Sequence, residues 1–230
     1  MPKKHTIPLQ SIYDNTNTYE IGVDECARGP LFGRLYTAAA ILPKNDTFNH
    51  YEMKDSKKIK SRKKMCELSD YIKKNAIGYH IHYIEANVID EINIRQAVFR
   101  GMRECIKQVL SKTDPLGKET LLVIDGNDFL PYTIFDTETE MIREIPHVTV
   151  EKGDGKYSFI AAASILAKNA HDEYILELCK ERPALVDRYA LDTNVGYGTK
   201  KHLEGIKTHG ITQWHRKTYG CCKTAVYSPL

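Results

Sequence analysis

Leu121-Leu122-Val123-Ile124-Asp125-Gly126-Asn127-Asp128 is the stretch on which the fold turns. Four apolar residues in succession read as a strand buried on both faces, which belongs inside a sheet covered by helices. The run ends in an acid, and Gly126 lets the backbone turn directly behind it. Sites on open α/β sheets lie at the carboxyl ends of strands, which makes Asp125 a candidate.

Working outward, the pattern of a strand running into acids recurs. Residues 18–24 predict a strand with Ile21 and Val23 alternating with Glu20 and Gly22, and it delivers Asp24 and Glu25 into the turn Cys26-Ala27-Arg28-Gly29-Pro30. Successive strand residues face opposite ways, so both acids can serve one ion only if the strand ends or bends between them. Further strands are expected at 35–42, up to Pro43, at 79–84 and at 148–150. Ser61 is placed to cap a helix with Met65, Leu68, Ser69 and Ile72 on one face. One long helix is expected from about 89 to 110, ending in a loop over 111–117. Another, from about Tyr157 to Lys180, holds Ala161-Ala162-Ala163-Ser164-Ile165-Leu166-Ala167, apolar nearly all round and therefore deeply packed. The pattern is a three-layer α/β domain over 18–219, with an arm at 1–17, small helical elements after Pro183 and a loose tail over 220–230.

A chain of 230 residues can bury a substantial core. It has no 18-residue apolar run and no apolar signal at Met1-Pro2-Lys3-Lys4-His5, so the expectation is an intracellular, cytoplasmic monomer with no membrane partner. A formal charge of +3 names no partner, but Lys54, Lys57, Lys58, Lys60, Arg62, Lys63 and Lys64 form a run that either meets phosphates or is a solvated helical face. The six cysteines show no zinc-site spacing and are expected to be reduced. Cys26 lies beside the acids without a recognisable His partner for nucleophilic work.

Asp154, in Lys152-Gly153-Asp154-Gly155-Lys156, either caps the packed helix or joins a site with the other acids. If Asp24, Glu25, Asp125 and Asp154 converge on one rim of the sheet, their repulsion calls for cations. Oxygen-only ligands suit Mg²⁺ or Mn²⁺ rather than zinc. Two such ions about 4 Å apart activate a water and stabilise the departing oxygen of a phosphoryl displacement, which makes phosphodiester hydrolysis the sharper expectation. Paired acids also hydrolyse glycosides, but no aromatic sugar platform stands out beside the single Trp214. Ser164 and Lys168, four apart, can address one strand of a ligand; Ser164 can equally bond to its own preceding turn.

Five blocks resemble, in order, the signatures of the ribonuclease HII family: Gly22-Val23-Asp24-Glu25-Cys26-Ala27-Arg28-Gly29-Pro30-Leu31, Asp55-Ser56-Lys57-Lys58, Asp125-Gly126-Asn127, Lys152-Gly153-Asp154, and Ala161 through Lys168. The resemblance runs from about 20 to 219 and takes in Ile89-Asp90-Glu91-Ile92-Asn93, Gly196 through His202, and His215-Arg216. It implies an α/β, ribonuclease-H-like fold: a mixed central sheet flanked by helices, with a small C-terminal helical extension over about 183–219. It implies that Asp24, Glu25, Asp125 and Asp154 are the catalytic, metal-binding acids for Mg²⁺ or Mn²⁺, two ions during catalysis. The implied enzyme hydrolyses the RNA strand of RNA–DNA hybrids and incises duplex DNA 5′ of an embedded ribonucleotide, leaving 3′-hydroxyl and 5′-phosphate ends and starting ribonucleotide excision.

For substrate binding, Ala27, Arg28 and Gly29 match the family's Gly-Arg-Gly turn that senses the 2′-hydroxyl, and Tyr197 matches its junction tyrosine. Ser56, Lys57, Lys58, Ser164 and Lys168 are the implied contacts to the rest of the strand. Contacts of this kind read phosphates and ribose rather than bases. Three departures stand out. Ala27 replaces the first Gly, and is strained by roughly 1 kcal/mol if that position needs a positive φ. Asn194-Val195 replaces a usual His-Lys, and Gly210-Ile211-Thr212 a usual Gly-Pro-Ser. A hybrid-directed nuclease without junction specificity and a non-catalytic hybrid-binding protein remain as alternative readings.

Overall fold

The computed structural model describes residues 8–137 and 139–230. Its strands are β1 Tyr19–Cys26, β2 Leu35–Ile41, β3 Gly78–Ile84, β4 Thr120–Asp125, β5 Thr133–Asp136, β6 Met141–Glu144 and β7 His147–Val150. Its helices are α1 Arg62–Asn75, α2 Ala86–Thr113, α3 Ser158–Glu181, α4 Ala184–Tyr189, α5 Leu191–Asn194 and α6 Lys200–His209. Five strands form a mixed sheet in the order β3-β2-β1-β4-β7, antiparallel on the β1 to β3 side and parallel from β1 through β4 to β7. The run 121–124 lies inside this sheet between β1 and β7, as continuous apolar character demands.

Strand alternation sorts the core into two layers. Ile21 and Val23 of β1, with Leu122 and Ile124 of β4, pack on α2 through Ala97, Met102 and Ile106. The opposite face, with Ala38, Ala40, Leu121 and Val123, packs on α1 and the alanine-rich start of α3. Gly22 faces α3 so closely that an added Cβ would sit 2.6 Å from the Phe159 carbonyl. Small residues on both sides let helix and strand backbones approach. A third cluster, Phe32, Ile175, Leu185, Tyr189, Leu191 and Ile206, joins α4, α5 and α6 to the distal half of α3.

Helix α1 begins where expected: the Ser61 hydroxyl accepts from the Lys64 N–H, and Met65, Leu68, Ser69 and Ile72 are its buried face. Other boundaries differ for physical reasons. The first strand continues past residue 24 to Cys26, since pairing with β2 extends to Cys26↔Tyr36 while pairing with β4 stops at Val23↔Ile124. The long helix is broken at Asn93 (φ 63°), whose side chain accepts from the Gln96 N–H and so starts a second helical run. The hairpin β5–β6 carries no periodic signal in the sequence, because Phe135, Met141 and Ile142 are exposed and no single apolar face marks it.

Of the arm expected over 1–17, residues 1–7 lie outside the described residues. Gln10 bonds at both ends to the entrance of α3, donating to Lys156 and accepting from Ser158. The tail from Gly220 is docked, not loose. Cys222 is buried, the Ile211 N–H donates to Val226, and Ser228 N–H donates to Ile211. Ile211 is thereby a packing residue, and Thr212 N–H donates to His215 Nδ1.

Two outcomes test this packing. Gly22→Ala should destabilise by about 3 kcal/mol, read as a shifted denaturant midpoint, because a backbone cannot yield to the new methyl. His202 and His215 form a neutral relay: His202 Nδ1 meets the Tyr197 carbonyl, and its Nε2 lies 3.2 Å from His215 Nε2. Burial lowers both pKa values, His215 to about 3 with repulsion from His202 adding to it. Below the ordinary value of 6.5 the unfolded chain binds protons that the folded chain refuses, so stability falls on acidification. His215 alone should contribute a slope of about 1.4 kcal/mol per pH unit to the unfolding free energy between pH 6 and 5, read from urea titrations, with His202 acting in the same direction.

Candidate active site

Register puts the first two acids side by side. Gly22 pairs with Val123 and Val23 with Ile124, so one further step along the parallel strands sets Asp24 beside Asp125, both on the α3 face. Here β1 and β4 separate and the chain turns: Gly126 adopts φ 99° and its N–H donates to Val150. Asp125 Oδ1 then accepts from the Gly153 N–H at 2.5 Å, drawing in the 3₁₀ turn Gly153–Gly155 that carries Asp154. Asp154 does not cap α3, whose N-cap is Tyr157 without a side-chain bond.

Glu25 follows Asp24 without any end of the strand between them. Its N–H donates to Asp24 Oδ1 at 2.7 Å, and its carboxylate meets Arg28 Nη1 at 3.3 Å. Asp24, Glu25 and Asp125 line one cavity of ≈ 230 Å³ together with Cys26, Ala27, Arg28, Gly29, Ser56, Lys57, Ser164, Lys168 and Tyr197. Asp154 lies just outside that lining, 3.9 Å from the Lys57 ammonium. Lys58 also stays outside, paired with Asp55 at 3.5 Å. Larger cavities of ≈ 670 and ≈ 750 Å³ lie beside α2 and α6, but neither gathers a group of acids.

The acids repel one another in a desolvated place. Burial raises the Asp24 pKa well above the ordinary carboxylate range, and the charges of Glu25 and Asp125 add to it. Burial likewise raises Glu25, partly offset by Arg28 and reinforced by Asp125. Asp154 is raised by burial and by the charges of Asp125 and Asp55. Burial opposes the Lys57 charge, yet Asp154, Asp24, Asp55 and Asp125 outweigh it and raise its pKa. Cationic charge stabilises this place. Among the described residues no three acids, histidines or cysteines already form a coordination cage. Hard cations that keep waters and take oxygens from substrate need none, so an oxygen-only donor set fits Mg²⁺ or Mn²⁺.

Around the acids, the Ser164 hydroxyl bonds to that of Ser56 at 2.9 Å, rather than to its own preceding turn. Lys168 is tied to Asp172 at 2.6 Å, one helical turn on. Ala27 is buried with φ 72°, the left-handed conformation in which a side chain is strained. Tyr197 remains partly exposed beside Gly29, and burial of its phenol raises the pKa to about 12. The Cys26 thiol is likewise pushed up by burial to about 12, which suits a protonated neighbour and not a nucleophile. Asn194 is buried and structural: it bonds to the Tyr189 carbonyl and the Gly196 N–H, building the turn that presents Tyr197.

Sequence reasoning passed over Asp172, and it took Arg216 only as part of the resembling His215-Arg216 pair, without a role. The Lys168 to Asp172 spacing of four was a readable signal. Nothing local marked the task of Arg216, which donates to the carbonyls of Ala27, Arg28 and Gly33 nearly two hundred residues earlier.

The mixed sheet, its flanking helices and the acids at the strand ends define a ribonuclease-H-like protein. A solved ribonuclease H2 from Pyrococcus horikoshii superposes with a TM-score of 0.67 at 20% identity, over 90% of this chain and 96% of that one. A structure of Bst-RNase HIII in complex with Mn²⁺ superposes with a TM-score of 0.56 at 14% identity, over 84% and 71%. Residues 21–222 match the family model described as Ribonuclease HII. A Ribonuclease HII from Parabacteroides distasonis is 43% identical over 207 residues, 90% of this chain and 92% of the relative. The chain belongs to the ribonuclease HII family and is an endoribonuclease of the type 2 ribonuclease H class.

Asp24→Asn should remove repulsion while keeping the bond from the Glu25 N–H. In chelator the variant is expected to melt higher than the parent, by about 1 kcal/mol of added stability. On adding Mg²⁺ the parent should gain more than the variant, since ligand binding to the folded state stabilises by mass action.

Proposed function

We propose that this protein cuts the RNA strand of RNA–DNA hybrids and also incises duplex DNA 5′ of a single embedded ribonucleotide, leaving 3′-hydroxyl and 5′-phosphate ends. The observation that carries the reading is the adjacency of two groups of residues in one cleft. Asp24, Glu25 and Asp125 meet the left-handed turn Ala27-Arg28-Gly29 and Tyr197 there. The first group suits phosphodiester chemistry, and the second suits recognition of a ribose.

In this reading Asp24, Glu25, Asp125 and Asp154 are the metal-binding acids, for Mg²⁺ or Mn²⁺. The presence of Mn²⁺ in the related Bst-RNase HIII structure supports this. Two bound divalent ions would supply a water activated at neutral pH and stabilisation of the departing oxygen. The chain's own groups orient the substrate. Lys57 and Lys168 offer positive charge to the phosphates flanking the cut, and Ser56 with Ser164 offers hydroxyl donors on the same wall. Lys58, more exposed, meets the strand further out. Backbone groups of Ala27, Arg28 and Gly29 address the 2′-hydroxyl, the group that separates ribose from deoxyribose. Tyr197 gives its ring to the sugar beyond. No base edge is read, so cleavage is independent of sequence and sensitive to salt.

Junction recognition is favoured over a merely hybrid-directed nuclease because Ala27 adopts the positive φ that a glycine would take. The strained conformation is kept even though the side chain opposes it. With Mg²⁺, the protein is expected to cut both a continuous hybrid and a duplex with one ribonucleotide. Cutting only the hybrid would sink the junction reading. Asp125→Asn should lower cleavage of both by at least about a hundredfold; unchanged cleavage would remove Asp125 from the site.

A further inference from the structure

Arg216 is a charged side chain with no exposed surface, and among the described residues no carboxylate forms an ion pair with it. A buried guanidinium in such a setting is unfavourable unless its donors are satisfied. Here three backbone carbonyls accept from it: Nη2 donates to Ala27 at 2.8 Å, Nη1 to Arg28 at 3.1 Å and Nε to Gly33 at 3.0 Å. The Tyr219 hydroxyl donates to the same Arg28 carbonyl at 3.0 Å, and its ring lies 5.2 Å from the Arg216 guanidinium carbon. Between them, Lys217 and Thr218 are fastened to α2, because the Asp90 carboxylate accepts from both N–H groups and from the Thr218 hydroxyl. Residues 216–219 therefore form a strap bound at one side to α2 and at the other to the Ala27-Arg28-Gly29 turn.

The strap decides which way the peptides of that turn face. No peptide bond among the described residues is cis. In a trans peptide the carbonyl and the N–H lie on opposite edges. With the Ala27 and Arg28 carbonyls drawn to Arg216, the N–H groups of Arg28 and Gly29 turn away from it, and neither donates to a backbone acceptor among the described residues. Both residues line the cleft beside the acids.

We infer that Arg216 and Tyr219 are positioning residues for ribose recognition: they hold the strained Ala27 turn so that two backbone donors stay presented to the 2′-hydroxyl side of the cleft. The inference rests on the reading of Ala27-Arg28-Gly29 as the ribose-sensing turn. Neither residue touches the substrate. Lysine at 216 keeps the charge but loses the planar fork, and phenylalanine at 219 keeps the ring but loses one hydrogen bond.

The experiment measures kcat/KM on a duplex with one ribonucleotide and on a continuous hybrid, for the full chain and for Arg216→Lys, Tyr219→Phe and Arg216→Lys combined with Ala27→Gly. A change in general stability lowers both substrates together, so the readout is their ratio. Tyr219→Phe should lower the single-ribonucleotide to hybrid ratio by about fivefold, the worth of one hydrogen bond, and Arg216→Lys by about tenfold, with the fork lost. Glycine at 27 adopts the left-handed turn without strain, so the double variant should recover part of the lost ratio. Should Arg216→Lys fail to fold, Tyr219→Phe, checked by thermal melting, carries the test alone. A parent protein that cuts both substrates, with Tyr219→Phe giving the same ratio, overturns the positioning role and leaves the junction reading intact. A parent that cuts only the hybrid overturns both.

Discussion

The contact between β1 and the first turns of α3 is the constraint on which the molecule depends. Gly22 leaves no side chain between the strand and the Phe159 and Ile160 backbone, and Ala161, Ala162 and Ala163 continue the close approach. That short separation seats Ser164 against the cleft that opens where β1 ends, in reach of Asp24. It also brings the entrance of α3, and the turn holding Asp154, up to the end of β4. A bulkier interface would move the helix outward and separate acids that now feel one another's charge.

The cleft shows a balance in which stability is given up for chemistry. Burial and mutual repulsion both disfavour the ionised forms of Asp24, Glu25 and Asp154. Arg28 and Lys57 compensate only in part and from the solvent side, where screening weakens them. The uncompensated remainder favours any cation that enters the cleft. Next to it, Ala27 holds a second strained feature, fixed by donors from a segment distant in sequence. Strain and repulsion gathered in one place, inside an otherwise well packed α/β domain, are the physical marks of a functional site.

The C-terminal helices and the segment after them contribute more than bulk. Their small core is built on Phe32, which follows the Ala27-Arg28-Gly29 turn, so the extension and the cleft share one loop. The neutral pair His202 and His215, together with Asn194, orders the loop that carries Tyr197. Residues that depart from the usual family pattern here, Asn194, Ile211 and Thr212, have packing or hydrogen-bonding partners within the chain.

Much of this was legible in the sequence because it is written in local periodicity. The apolar run 121–124, the Ser61 cap with its buried stripe, and the alanine-rich helix each announce their own environment. Acids at strand ends, and the order of five motifs, carry the resemblance to the ribonuclease HII family in the sequence alone. Other features depend on partners far along the chain, and no window of sequence contains them. The break at Asn93 and the β5–β6 hairpin are local but have no apolar periodicity to mark them, whereas the docking of Cys222 beside Phe32 and Ile175 and the pairing of Ser56 with Ser164 are of this kind. So is Arg216, whose donors close on a turn formed nearly two hundred residues earlier. The sequence by itself determined the principal strands and helices of the sheet and its flanks and the candidate acids, since those follow from periodicity and side-chain chemistry. Only the tertiary structure decided that Asp24 and Asp125 become neighbours, that Ala27 takes a left-handed turn and that Arg216 secures it, because register, backbone strain and buried polar pairing arise from contacts between distant segments.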